Sequence, residues 1–305
     1  MNHLLSIPNS SPMMNLDKEE LILQRHLLDL ANTADKRGIC IYSDFLNLNE
    51  QNIFSGLIHE LPRIKYFTYG GFSCAERKIL CFCGDDQIAA YDLGTAYDLS
   101  TAYDLGTAYD LSTAHDLSTA HDLSTAYDHL DFPIDCIKIV PTSHKFSDNF
   151  SHRDFLGAVL NLGIDRSKVG DILLEENEGY VFCSASISGF ILDQLVKVKH
   201  TNIRTAVIDQ KDFSYQPKLK EVVGTVSSVR LDSILSVAFH SSRSSLTGLI
   251  AGGKVFVNSK EVLSNSYILK ENDVISVRGF GKFIFSGTSY MTKKGRYSVK
   301  LLLYT

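Results

Sequence analysis

From Tyr91 to Ala126 the unit Tyr/His-Asp-Leu-Gly/Ser-Thr-Ala runs six times without interruption, and a seventh copy begins at Tyr127-Asp128 and decays. A period of six cannot line up its leucines along a helix, because successive copies are rotated by roughly 600°. Hexapeptide repeats also build parallel β-helices, but this block makes only about two coils where at least three are needed. It also sets a bulky ring where such coils take a small side chain. The block is therefore expected to be a tandem expansion within a surface loop, mostly disordered, adding one Asp per copy. The fold must come from the two flanks.

Those flanks can supply it. The chain has 305 residues, 44% hydrophobic and 21% charged, enough for two or three domains with their own cores. Charge is distributed unevenly. From Pro217 to Thr305 there are thirteen basic and five acidic residues, a net of +8; the whole chain is −5, so the remainder carries −13. A basic C-terminal unit on an acidic remainder is the footprint of a localised polyanion site. The six cysteines include no C-x-x-C pair. Cys81 and Cys83 share one face of an expected strand, and all six read as buried free thiols rather than metal ligands. No segment reads as a cleavable leader or reaches the ~18 apolar residues that span a bilayer. The expected setting is reduced and cytoplasmic, with no membrane contact and no small-molecule substrate.

The flanks divide into an α+β series. Residues 1–16 read as a loose N-terminus and 17–85 as an N-terminal α/β unit. In that unit a helix from Asp17 to about Ala34 carries Leu21, Leu23, Leu27, Leu28 and Leu30 near helical spacing, with acids in its first turn. A second helix runs from Asn49 to His59 and ends before Pro62. Strands follow at 63–69 and 78–83, with Gly70-Gly71 as a turn. Residues 86–130 are the repeat insertion. Residues 131–212 read as strand 134–140, helix 153–162 capped by Ser151, a hairpin of 168–174 and 180–185 about Glu178-Gly179, helix 188–198 and strand 202–208. This is the β-α-β-β-α-β order of a ferredoxin-like plait, the plan of RNA-recognition domains, provided that strand 78–83 or one near it completes the sheet. No aromatic-rich strand marks it as a base-stacking platform.

Residues 222–305 carry the most specific pattern. Arg230-Leu231-Asp232 opens a helix with Ile234, Leu235, Val237 and Ala238 as its apolar side. The run 241–244 then breaks it, and Ser caps a second helix that ends at Gly252-Gly253. A strand at 254–257, turns at 258–260 and 271–273 and a strand at 274–278 complete a helix–turn–helix docked on a small sheet. Arg230, Arg243 and Lys254 fall at turns and element ends, where long side chains and a helix N-terminus can meet phosphates. The string Gly248 to Lys254 imitates a phosphate-binding loop, but Val255 replaces the Mg²⁺-binding hydroxyl and the segment runs from helix into strand. His152, Arg153 and Asp154 diverge around a helix start and make no acid–base site. No Cys/His cluster suggests a metal, and no cofactor motif is present.

The ordered pattern Arg-Leu-Asp, Ser-Arg, Gly-Lys-Val-x-Val-Asn and Asp-Val-Ile resembles the S4 RNA-binding domain. The tail Val277-Arg278-Gly279-Phe280-Gly281-Lys282-Phe283, followed by Thr292-Lys293-Lys294-Gly295-Arg296, is similar to the YlmH family of bacterial S4-domain proteins. So are Ser43-Asp44-Phe45-Leu46, Gly70-Gly71-Phe72 with Ala75-Glu76-Arg77-Lys78, His152-Arg153-Asp154-Phe155-Leu156-Gly157, Leu162-Gly163-Ile164 and Gly170-Asp171-Ile172. The resemblance departs at the hexapeptide block, and Ser151 stands where the family is expected to have Thr. It implies RNA binding without catalysis, on ribosomal RNA of the large subunit carrying stalled peptidyl-tRNA, in ribosome-associated quality control. The RNA surface is expected to use Arg230, Ser242, Arg243, Lys254, Asn258 and Arg278, extended by Lys282, Lys293, Lys294 and Arg296, in a monomer. The alternatives are an RNA-modifying enzyme with an S4 targeting domain, against which stands the absence of a synthase or methyl-donor motif, and a cell-division adaptor acting through the acidic N-terminal part.

Overall fold

The computed structural model describes residues 18–84, 109–110, 131–209 and 213–304, apart from positions 73, 144, 146, 214 and 216. In chain order the elements are α1 (Lys18–Arg37), β1 (Ile41–Leu46), α2 (Leu48–Leu57), β2 (Lys65–Tyr69), β3 (Lys78–Cys83), β4 (Tyr109–Asp110) and β5 (Ile134–Pro141). Then come α3 (His152–Leu160), β6 (Val169–Glu175), β7 (Glu178–Ser184), α4 (Ala185–Gln194), β8 (Lys197–Val198) and β9 (Thr201–Ile208). The C-terminal part holds β10 (Leu219–Val226), α5 (Leu231–Ala238), α6 (Arg243–Ala251), β11 (Val255–Val257), β12 (Lys260–Glu261), β13 (Val274–Val277), β14 (Gly281–Met291) and β15 (Tyr297–Tyr304).

Three sheets result, with strand orders β1-β3-β2-β4, β6-β7-β5-β9-β8 and β10-β15-β14-β13-β11-β12. In the first, β3 is central and all six of its residues are buried. A strand covered on both faces reads as an unbroken apolar run, and alternation assigns its sides. Leu80 and Phe82 face α1 and α2 with Leu27, Ala31 and Phe54, whereas Ile79, Cys81 and Cys83 pack with Ile134, Cys136 and Phe182 of the second sheet. That second sheet buries its opposite face, through Ile137, Ile139, Val181 and Cys183, under Phe155 and Val159 of α3 and Ile191 of α4. Helices, sheet, sheet and helices thus form four layers. Gly71 marks the tightness of the join: its φ is +96°, and a Cβ there would strike the Phe182 ring.

A polar lock sits at the edge of this join. Arg77 donates from Nε to the Val169 carbonyl (2.9 Å) and from Nη2 to the Phe45 carbonyl (2.9 Å). The Asp171 carboxylate accepts from the backbone N–H groups of Glu76 (2.6 Å) and Arg77 (3.2 Å). Burial pushes its pKa up to about 6, although those two N–H groups pull the other way.

Several expectations need correction. The second sheet is a ferredoxin-like plait complete in itself, since β5-α3-β6-β7-α4-β9 pair in the order β6-β7-β5-β9. The strand at 78–83 belongs to the other sheet, paired with β1 and β2. The plait hairpin turns at Glu176-Asn177, two residues earlier than expected, because these two take the left-handed φ of 46° and 72° that such a turn requires. The helix expected at 188–198 spans Ala185–Gln194, and Lys197–Val198 is a strand paired with β9. The C-terminal sheet is larger than the small sheet expected. It has six strands, because the tail after Val277 folds into the long β14–β15 hairpin.

Cys40 and Cys83 are joined in a disulfide, which corrects the reading of six free thiols. Pairing of Ile41 with Phe82 sets the two directly opposite, with Cα atoms 4.2 Å apart, across a separation of 43 residues that spacing in sequence does not reveal. Burial pushes the neighbouring Cys81 thiol up to about 12, so it stays protonated. Of the repeat block, only Tyr109–Asp110 is described, pairing in parallel with Phe67 and Thr68 of β2. The expectation that the block is a passive insertion otherwise lies outside the described residues. Among the described residues, no helix is long and apolar enough to cross a membrane.

Candidate nucleic-acid interface

The C-terminal core explains why α5 and α6 stand where they do. Leu231, Ile234, Leu235 and Ala238 of α5 and Leu246 and Ile250 of α6 are buried with Val255, Val257, Ile275, Val277, Phe283 and Phe285 of the sheet. Spacings of three and four residues put each set on one helix face. The α5 N-terminus is tied down by bonds from the Leu231 N–H to the Tyr267 carbonyl (2.8 Å) and from the Asp232 N–H to the Asn265 carbonyl (3.3 Å). His240 adopts φ 48° at the break, and the Ser242 hydroxyl caps α6 by accepting from the Ser245 N–H (3.4 Å).

This scaffold treats the ten expected RNA-contacting residues unequally. Lys254 and Arg278 stand together at one end of α6. They are the next pair in the ladder beyond Val255 and Val277, both are exposed, and the Arg278 N–H donates to the Lys254 carbonyl (2.9 Å). The Arg278 guanidinium also lies over the Phe256 ring, 5.1 Å from its centre. Two like charges directly opposite on neighbouring strands repel each other. Arg243 opens α6 at its other end, about 13 Å away along the nine-residue helix; its side chain lies outside the described residues. Lys293 and Lys294 are exposed at the tip of the β14–β15 hairpin.

The other expected residues are engaged within the protein. Asn258 holds φ 50°, donates from Nδ2 to Asp273 Oδ1 (2.8 Å) and accepts from the Val274 N–H (2.9 Å), so its amide fixes a turn. Arg230 turns its Nε toward Asp232 Oδ1 at 3.3 Å. Lys282 reaches away from α6, donating to the Cys74 carbonyl (3.1 Å) and lying 5.0 Å from the centre of the Tyr304 ring. Arg296 clamps Thr225, donating to its carbonyl (2.6 Å) and its hydroxyl (3.2 Å). The Ser242 hydroxyl is spent on the cap. Residue type alone groups these side chains together, whereas the partner beside each separates them: a near neighbour for Arg230 and Ser242, and a group distant in sequence for Asn258, Lys282 and Arg296.

The plait offers a different surface. Its sheet face is covered by the N-terminal sheet and by Phe213 and Tyr215, whose rings contact Phe72 (6.2 and 5.6 Å between centres). Asp154 on α3 accepts from both the N–H (2.7 Å) and hydroxyl (2.6 Å) of Ser151 and pairs with Lys199 (2.8 Å). These donors, the Lys199 ammonium foremost, hold its carboxyl down at about 2, as suits a cap and ion-pair partner.

Comparisons with known proteins match two parts of the chain. Residues 128–212 match the family model described as "Putative RNA-binding domain in YlmH", and residues 229–275 match the S4 domain. The ribosome-associated protein quality control protein P2 of Bacillus subtilis (strain 168) is 33% identical over 159 residues, which are 51% of this chain and 62% of that protein. The match thus spans less than two thirds of the relative. A solved structure, the cell division protein ylmH from Streptococcus pneumoniae, superposes with a TM-score of 0.42 at 15% identity, over 66% of this chain and 98% of that one. In sequence order the chain thus matches the RNA-binding domain model of YlmH and then the S4 domain model, and it is similar to the Bacillus subtilis relative over about half of its own length.

Proposed function

We propose that this protein is a non-catalytic RNA-binding protein that docks on folded ribosomal RNA of the large subunit, carrying stalled peptidyl-tRNA, in the cytoplasm. The observation that carries the reading is the Lys254–Arg278 pair. Two exposed cations held opposite each other on adjacent strands cost stability in the free protein, and a shared phosphate offsets that cost. Arg243 at the α6 N-terminus adds a third cation about one helix length away. The domain matches and the relative's name support RNA and the ribosome as the target class. Attachment is electrostatic, with shape rather than base sequence setting specificity.

The test is the affinity for isolated large ribosomal subunits as a function of salt. Lys254→Glu with Arg278→Glu is expected to weaken binding at least about tenfold and to flatten the salt dependence by roughly one to two released counterions. Wild-type protein that fails to bind at low salt, or a double variant that binds unchanged, overturns the reading.

A further inference from the structure

The β14–β15 hairpin is longer than its core requires. Up to Gly287 the β14 residues Phe283, Ile284 and Phe285 are buried, and beyond it Thr288, Ser289, Tyr290 and Met291 are all exposed. The change occurs where Gly287 takes φ +97° and the register with β15 shifts. A second shift lies between the pairs Thr288–Val299 and Met291–Tyr297, so that Ser289 and Tyr290 together face Ser298 alone. Such a bulge re-aims the side chains it carries. The outer ribbon therefore leaves Tyr290 66% exposed, Met291 58% and Tyr297 36%, although burial would stabilise all three.

The ribbon is nevertheless ordered. Its turn is closed by the Thr292 N–H to the Arg296 carbonyl (2.7 Å), the Gly295 N–H to the Thr292 carbonyl (2.9 Å) and the Arg296 N–H to the Thr292 hydroxyl (3.1 Å). Arg296 then fastens the turn to Thr225 of β10. Lys293 and Lys294 project from this fixed tip, and from Val274 to Thr305 there are six basic residues and no acidic one. The region combines a rigid ribbon, an unsupported aromatic ring and an uninterrupted positive charge.

We infer that the hairpin tip is a second RNA contact, in which Tyr290 stacks on an unpaired base while Lys293 and Lys294 hold the flanking phosphates. This rests on the RNA-binding reading above and adds its ligand class: a single-stranded loop or bulge rather than a duplex. Rings flanked by cations suit such a strand because every base has a stacking face and every linkage a phosphate. A duplex offers no unstacked base to Tyr290.

The chain contains no tryptophan, so Tyr290→Trp puts a unique fluorophore at the tip. Its emission is expected to be quenched by a single-stranded oligoribonucleotide and by large subunits, and unchanged by an RNA duplex. Tyr290→Ala is expected to weaken binding to large subunits about tenfold with the salt dependence intact, and Tyr290→Phe to restore it. Wild-type binding together with an unquenched Tyr290→Trp variant and a Tyr290→Ala variant of unchanged affinity overturns the hairpin contact and leaves the Lys254–Arg278 reading standing. Wild-type protein that binds no subunits at low salt overturns both.

Discussion

The plait and the C-terminal unit both match domain models, yet they use their sheets in opposite ways. The plait sheet lies under α3 and α4 on one side and under the N-terminal sheet on the other, with Phe182 and Cys136 sealed in the join. The C-terminal sheet extends past its helices into an exposed ribbon, with cations at one strand end and at the hairpin tip. A sheet read by RNA must leave a face or an edge to solvent, and here the plait has spent most of its second face on the neighbouring unit. The same layer architecture therefore serves packing in one part of the chain and presentation in the other. The contrast also assigns costs, because changes in the plait join should act on stability and changes in the ribbon on affinity.

The largest expected effect tests the seal itself. Phe182 is fully buried between the sheets, against Phe72 (4.9 Å between ring centres) and Phe213 (5.1 Å). Phe182→Ala is expected to lower unfolding stability by about 3–5 kcal/mol in urea titrations. A loss below about 1 kcal/mol would mean that the join is open and the plait face free, which erases the contrast. Next in size is Asn258, which belongs to the C-terminal unit but behaves as a packing residue. Removing its amide in Asn258→Ala leaves Asp273 Oδ1 and the Val274 N–H without their partner and puts Ala at positive φ. The expected cost is about 1–3 kcal/mol, with subunit affinity per folded molecule unchanged. If instead affinity falls while stability holds, the amide belongs to the RNA surface after all.

What the sequence made legible follows from range. The helix–turn–helix was readable because its signals are local. Ser242 caps α6, Gly252-Gly253 ends it, and apolar residues at spacings of three and four give both helices their buried faces. The plait order was readable for the same reason, and it missed only the hairpin turn, the length of α4 and the sheet to which strand 78–83 belongs. The long tail hairpin has a local signal too, since Lys293-Lys294-Gly295 is a turn between two runs rich in β-formers, although the same basic residues also read as a charged tail. The partners of side chains were illegible. Nothing local says that Lys282 will find the Cys74 carbonyl, that Arg296 will find Thr225, or that Cys40 will lie opposite Cys83. Those contacts depend on strand pairing and unit docking across 43 to 208 residues of sequence. For the same reason, Lys254 and Arg278 could be named as basic residues from sequence, but not as a facing pair.

The smallest predicted effect probes the same seal by pH. Asp171 sits at the edge of the join, its pKa raised by burial to about 6, against an ordinary value near 3.8. In the unfolded chain it ionises near that ordinary value, so between roughly pH 4 and 6 the folded state holds a proton that the unfolded state has lost. The stabilising contribution of this group is therefore complete below about pH 4 and is lost as pH rises through 6, where the buried carboxylate becomes charged. In Asp171→Asn the group no longer titrates. The stability of the wild type relative to that variant should thus decline as pH rises from about 4 to 7, measured by urea unfolding at each pH with salt held constant. The comparison with the variant matters, because other groups titrate over this range and cancel in the difference. A pH-independent difference would mean that Asp171 is solvated in solution. The Glu76 and Arg77 N–H groups would then not be held against β6, and the polar edge of the join would be loose even if Phe182 stayed sealed. A difference that rises with pH would mean that the Glu76 and Arg77 N–H groups and the nearby Lys282 ammonium, rather than burial, dominate the environment of the carboxylate, and the edge would be a solvated charge cluster instead of a closed seam.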